Sequence, residues 1–284
     1  MNNKKFRSKK TAARVKNIAT YTILIIISLI WLIPFVILIF QSFNAKTGMS
    51  VKWSFTFDNY VKLFKETEFP RWYGNTLLVS VIVTVIQTVI VLMTSYALSR
   101  LRFKLRKPLM NFMLILGMFP GFLSMVAVFY LLREMGMANV AGLILVYSAS
   151  SAMQYYICKG FFDTIPKSLD EAARIDGASR HTVFLKIILP LAKPIIIYTI
   201  LTAFIAPWGE YMFSSYIALA SGRDESKFTV AYGMWNMLSE AGTKAEMFTV
   251  FCAAAVVVSI PITALFIWLQ RYYVEGITGG SVKG

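Results

Sequence analysis

Six stretches of this chain stay apolar for about 20 residues at a time, the length that crosses a bilayer at ~1.5 Å of helical rise per residue. They fall at approximately 18–40, 76–99, 109–132, 140–161, 194–219 and 248–270. With 57% of its 284 residues hydrophobic and only 15% charged, the chain is excluded from the class of ordinary soluble domains. Lipid offers no hydrogen bonds, so each span has to satisfy its own backbone, and the pattern predicts an all-α integral membrane protein with six transmembrane helices. Pro34, Pro120, Pro207 and Pro261 fall inside these runs, where neighbouring helices can re-satisfy the freed backbone groups.

Lysine and arginine placement predicts the orientation, because basic residues stay on the cytoplasmic side. One side collects Lys4, Lys5, Arg7, Lys9, Lys10, Arg14 and Lys16, then Arg100, Arg102, Lys104, Arg106 and Lys107. The same side takes Lys159, Lys167, Arg174, Arg180, Lys186 and Lys193, with Arg271 and Lys283 near the end. Both termini and the loop around Glu171 are therefore expected in the cytoplasm. Residues 1–17 read as a basic tail, a topological signal without fixed structure, and the apolar run after it is too long for a signal-peptide core.

This placement also accounts for the net charge of +15. Basic residues beside membrane spans meet anionic lipid headgroups, and the chain offers no folded soluble face for a nucleic acid. Cys158 and Cys252 lie within expected spans and read as small apolar fillers. His181, the sole histidine, has no second histidine or cysteine near it, so no metal site is expected. No Walker A motif, nucleophile elbow or HExxH occurs. An integral-membrane enzyme would need a constellation of His, Cys, Asp or Glu that is not found.

The loop from Glu171 to Pro190, EAARIDGASRHTVFLKIILP, carries the most specific pattern. Ser168 followed by Glu171 predicts a capping box and a helix starting there. Leu169, Ala172 and Ala173 would share one face, small enough for a partner surface to approach the backbone. Gly177 suits a helix end that needs positive φ. Ser179 can cap a second helix carrying Val183, Phe184, Ile187 and Ile188, and Pro190 disfavours helical geometry at Leu189.

The positions Glu171, Ala172, Ala173, Gly177, Ile187, Leu189 and Pro190 together resemble the cytoplasmic coupling loop of ATP-binding-cassette (ABC) importer permeases. The resemblance implies the type I importer permease fold: a core over 73–271 with its coupling loop at 163–193, preceded by a first helix and external loop over 18–72. It also implies that the loop docks onto a separate ATPase. The end of the chain, from Phe248 through RYYVEGITGGSVKG, is similar to the smaller membrane subunit of maltose and maltodextrin importers, the maltose permease G type. There the 272–284 tail reaches the ATPase, which on this chain implies contacts from Gly279, Gly280, Val282, Lys283 and Gly284. Glycines 276, 279, 280 and 284 by themselves read as a frayed end.

The resemblance further implies a heterodimer with a larger homologous permease, an ATPase homodimer holding ATP and Mg, and an external sugar-binding protein. No cofactor is expected in this chain.

Glu210 is an acidic residue inside an expected span, about 14 Å from its outer end. A charge there costs on the order of 2.5–3.5 kcal/mol, so it should be paired, protonated or turned to the bundle interior. Trp208 and Tyr211 flank it with surface of the kind that stacks on sugars, and the group reads equally as a translocation pathway or as an interhelical hydrogen bond. Trp53, Phe69, Trp72 and Tyr73 read as an interfacial aromatic belt. Loop 220–247 reads as a solvated connection whose FTVAYGMWNML stretch could form a short helix, or as a contact for an extracellular partner. The leading function is a non-enzymatic permease subunit for a maltose-like oligosaccharide. A permease for another oligosaccharide or for glycerol phosphate stays open, as does an ion-coupled transporter acting alone.

Overall fold

The computed structural model describes residues 2–45, 54–118, 121–239 and 244–281, with side chains described within 16–270. Among them the architecture is helical, and one isolated bridge between Asn44 and Phe55 is the only strand-like pairing. The helices run in order α1 Asn2–Ser42, α2 Asp58–Lys65, α3 Phe69–Arg100, α4 Arg106–Met118, α5 Gly121–Glu134, α6 Val140–Ala149 and α7 Ala152–Thr164. They continue as α8 Lys167–Ile175, α9 Arg180–Val183, α10 Leu189–Leu191, α11 Lys193–Gly209, α12 Met212–Ala220, α13 Val230–Ser239 and α14 Lys244–Ser281.

Four stretches are long and apolar enough to cross a membrane: Lys16–Ser42, Phe69–Arg100, Val140–Thr164 and Met247–Gln270. Two bent pairs raise the number to as many as six if each is one span, namely Arg106–Met118 with Leu123–Glu134 and Arg180–Leu191 with Lys193–Gly209. The expected span at 194–219 is not one continuous helix. α11 has 17 residues, about 26 Å of rise, and the chain leaves helical geometry at Glu210 (ψ 108) before α12 begins.

Both ends of the chain are more helical than expected. α1 starts at Asn2 and takes in most of the basic tail, since Lys, Arg and Ala favour helix and neither Gly nor Pro interrupts before Pro34. α14 likewise runs past the last span to Ser281 and through Gly276, Gly279 and Gly280. Val282, Lys283 and Gly284 lie outside the described residues, as do Trp53 and Pro120.

α3 is the central post. Its membrane-buried length carries Gln87, whose amide donates to Ser151 Oγ (2.7 Å) where α6 gives way to α7, and Ser95 donates to the Tyr155 carbonyl (3.0 Å). Gln154 on α7 donates to Thr202 on α11 (2.8 Å). These polar ties fix helix positions where lipid-like surroundings give no hydrophobic drive. Cys158 and Cys252 are free and buried, as fillers should be.

The start of α3 departs from the expected aromatic belt. Phe69 and Trp72 are buried in a cluster with Leu63, Trp208, Phe228, Val230 and Tyr232. The 220–239 segment covers them and is pinned by side chains of α3. Trp72 Nε1 donates to the Glu225 carbonyl (2.8 Å), Asn75 Nδ2 to the carbonyls of Ser226 and Phe228, and Val230 N–H to Thr76 Oγ1 (2.8 Å). So the segment is a packed cap with α13 as its short helix, and not a solvated connection. Gly233 lets α13 lie directly on the Trp72 ring.

Candidate functional site

At the far end of α3 the chain forms a helical hairpin, α8 to α10, whose construction can be followed residue by residue. α8 begins at Lys167 with Pro166 as its N-cap, and no side chain caps it. The expected Ser168–Glu171 capping box therefore does not form. Pro166 (φ −57, ψ 131) turns the chain two residues earlier, which carries Ser168 into the first turn. The helix ends as the glycine predicted. Ala178 N–H bonds the Ala173 carbonyl (2.9 Å), Gly177 N–H bonds that of Arg174 (3.1 Å), and Gly177 sits at φ +83. Ser179 Oγ then accepts from Thr182 N–H (3.2 Å) and opens α9.

Pro190 does not stop the second arm. Leu189 is helical (φ −60, ψ −43), and Phe184–Ile188 form a π-helical turn in which Leu189 N–H bonds the Phe184 carbonyl. The wider turn removes the clash that a proline ring makes with the carbonyl four residues back. The chain then bends by 81° into α11.

Burial divides the seven motif positions into two sets. Ala173, Ile187 and Leu189 pack inward, with Val183 and Ile188, against Val91, Leu92, Phe162 and Ile165. Glu171, Ala172, Gly177 and Pro190 are exposed. The shared face expected for Leu169, Ala172 and Ala173 is thus split. The most prominent apolar group on the hairpin is one that the motif does not contain, Ile175, at 86% exposure. Sequence reasoning missed it, although an isoleucine just before the helix-ending Asp176 and Gly177 was a visible signal.

Sequence reasoning also missed how the hairpin is seated. Tyr96 of α3 lies against Phe184 (ring centroids 4.6 Å apart), and Ser99 donates to Asp163 (2.6 Å). Arg100 Nη2 donates to the Ile165 carbonyl (2.9 Å), and its Nε stands 3.0 Å from Asp170 Oδ2 on α8. The side chains of this ion pair are only 4% and 17% exposed. They lie in a cleft of about 480 Å³ that also takes in Arg102, Arg106, Arg174 and Arg180.

The second group of expected site residues is resolved differently. Trp208 is 4% exposed and packs on Tyr73 and Phe204, so its ring is not open to a solute. Glu210 does make the interhelical hydrogen bond. Its Oε2 accepts from Tyr147 Oη (2.6 Å) and its Oε1 from Phe213 N–H (2.9 Å) in the first turn of α12, where it satisfies an otherwise unpaired helix-start N–H. Tyr211 is exposed and stacks on Trp235 (5.8 Å, 20°), which stacks in turn on Tyr232.

The class defined by this arrangement is a multi-span helical membrane protein. A bacterial ABC transporter involved in the import of the acidic polysaccharide alginate has a chain with the same fold, at TM-score 0.76, 23% identity and coverage of 92% of this chain and 97% of that one. The chain belongs to the family described as the binding-protein-dependent transport system inner membrane component, whose pattern matches residues 89–279. It is 33% identical to the maltodextrin transport system permease protein MdxG of Bacillus subtilis (strain 168), over 96% of this chain and 99% of that protein. It is 36% identical to the maltodextrin permease MalD of Streptococcus pneumoniae, over 98% and 99%. The galactooligosaccharide permease GanQ of B. subtilis is 38% identical over 81% of each chain. The protein is therefore a multi-pass component of an inner-membrane transport system.

Proposed function

We propose that this chain is the G-type permease subunit of an ABC importer for a maltodextrin-type oligosaccharide, with both termini and the α8–α10 hairpin in the cytoplasm. It forms a heterodimer with a larger homologous permease. An ATPase homodimer, a separate set of chains that hold ATP and Mg, engages the hairpin through Glu171, Ala172, Gly177 and Pro190, over the inward-packed Ala173, Ile187 and Leu189. The tail residues Gly279, Gly280, Val282, Lys283 and Gly284 add a second contact. An external sugar-binding protein delivers the cargo on the side of the α13 cap. ATP binding and hydrolysis in the partner then alternate access through the membrane helices. Tyr211 and Glu210 border the pathway at the α11–α12 break; Trp208 supports them from the core.

The observation that carries this reading is near full-length similarity to two maltodextrin permeases together with a seated hairpin that leaves an apolar tip unsatisfied. The similarity to the galactooligosaccharide permease supports a second cargo of the same chemical class. Uptake by the assembled transporter in proteoliposomes, with labelled maltotriose set against a labelled galactooligosaccharide, tests both. Import of neither sugar, or import unaffected by removing ATP, would overturn the reading.

A further inference from the structure

The hairpin has two kinds of attachment to the membrane helices, and they differ in what they can transmit. Its second arm is held by apolar packing of Val183, Phe184, Ile187 and Ile188. Such contact resists separation but has no preferred direction and lets surfaces slide. α8, the arm that carries Glu171, Ala172 and Ile175, has no fully buried side chain, and Ala173 is its one inward-packed apolar contact among the described residues. The directional tie from α8 to α3 is the Asp170 carboxylate on the Arg100 guanidinium.

Arg100 is the last residue of α3, and its guanidinium also bonds the Ile165 carbonyl where α7 ends. One planar group thus joins two membrane helices to the docking helix. The pair uses only part of its capacity: Arg100 Nε and Nη1 and Asp170 Oδ1 are all buried without a hydrogen-bond partner, so the Nε–Oδ2 approach is a charge contact that has not closed into a hydrogen bond. A small turn of the carboxylate would close a two-pronged contact on the Nε–Nη2 edge, where Nη2 has a second N–H beside the one given to Ile165, so the joint holds over a range of α8 positions. The other cationic groups in the cleft, Arg102, Arg106, Arg174, Arg180 and Lys167, do not contact Asp170 within ion-pair distance among the described residues.

We propose that Arg100 and Asp170 are positioning residues that convert displacement of the docked hairpin into movement of α3 and α7, and so set how much solute is moved per ATP hydrolysed. This rests on the reading that the hairpin docks onto a partner ATPase. A merely structural pair would alter stability or ATPase binding; a transmitting pair alters the ratio of transport to hydrolysis.

The test uses the whole transporter in proteoliposomes, with solute import and ATP hydrolysis measured together and ATPase retention measured by co-purification. Asp170→Asn, which keeps the side-chain shape, is expected to retain the ATPase and lower solute per ATP by about tenfold, inside the ~5–150-fold span of typical coupling effects. Arg100→Gln should do the same, and Arg100→Lys should recover part of the loss, since it restores the charge without the planar fork. A ratio within experimental error of the unmodified transporter for Asp170→Asn overturns the inference, and so does release of the ATPase by that variant. If the unmodified assembly neither imports nor binds the ATPase, the functional reading itself falls, and the inference with it.

Discussion

Substituting alanine for Gly233 should unseat the α13 cap. A Cβ at this position would stand 2.2 Å from Cε3, 2.3 Å from Cδ2 and 2.7 Å from Cζ3 of Trp72. Carbon atoms in contact prefer about 3.5–4.0 Å, so α13 or the indole has to retreat by well over 1 Å. Neither is free to do so. Trp72 is buried, faces Phe228, and is held by its bond to the Glu225 carbonyl, while Val230 N–H is tied to Thr76. Forced overpacking costs about 1–3 kcal/mol, and loss of the indole hydrogen bond adds roughly 1 kcal/mol. A total of about 2–4 kcal/mol corresponds to a fall in apparent melting temperature on the order of 5–10 °C for a chain of this size. The measurement is thermal unfolding of the solubilised protein beside trypsin cleavage after the exposed Arg223 and Lys227, which should accelerate. Because the two side chains meet directly, Gly233→Ala combined with Trp72→Leu should lose less than the sum of the single variants. Unchanged melting and cleavage in Gly233→Ala, or strict additivity in the double variant, would refute the proposed packing.

Gly177→Val should destabilise the hairpin by about 1–2 kcal/mol, because φ +83 is unfavourable for a side chain even though nothing lies within 4 Å of the new Cβ. Gly177→Asn, which tolerates that backbone, should keep the fold and weaken only ATPase docking; equal stability of the two variants by thermal unfolding would contradict this. Ile175→Ser should leave stability within ~0.5 kcal/mol, as a change at an exposed position does, while ATPase co-purification drops; retention at the unmodified level would remove Ile175 from the docking surface. Tyr147→Phe deletes the 2.6 Å bond to Glu210 and should cost about 1–3 kcal/mol, as leaving a buried acceptor without its donor does, a loss read from the melting temperature. Glu210→Gln should slow uptake at unchanged membrane insertion, and an unaltered uptake rate would take Glu210 out of the pathway.

What the sequence disclosed and what it concealed separate by distance along the chain. The helix end at Gly177, the cap at Ser179 and the helix at Val230–Ser239 rest on contacts between near neighbours, and each was legible. Two local expectations failed at prolines: Pro166 imposed its own geometry and started α8 early, while the wider π turn before Pro190 accommodated its ring. Trp72 and Phe69 looked interfacial because amphipathic composition does not reveal whether another segment covers a ring; here residues far along the chain do. The Arg100–Asp170 pair, the Tyr147–Glu210 bond and the Tyr211–Trp235 stack join residues that only the fold brings together. Arg100 did carry one signal, as a lone cation closing a long apolar helix, but its partner carried none.

The division of the hairpin motif into inward and outward positions has a consequence for how such transporters diversify. Ala173, Ile187 and Leu189 answer to the packing of their own chain and Gly177 to its own helix end, whereas the exposed side chains of Glu171, Ala172, Ile175 and Pro190 present nothing that their own core requires. The two sets are free to change at different rates. A new ATPase could be recruited by altering a few solvent-facing side chains, with the membrane helices beneath left as they are.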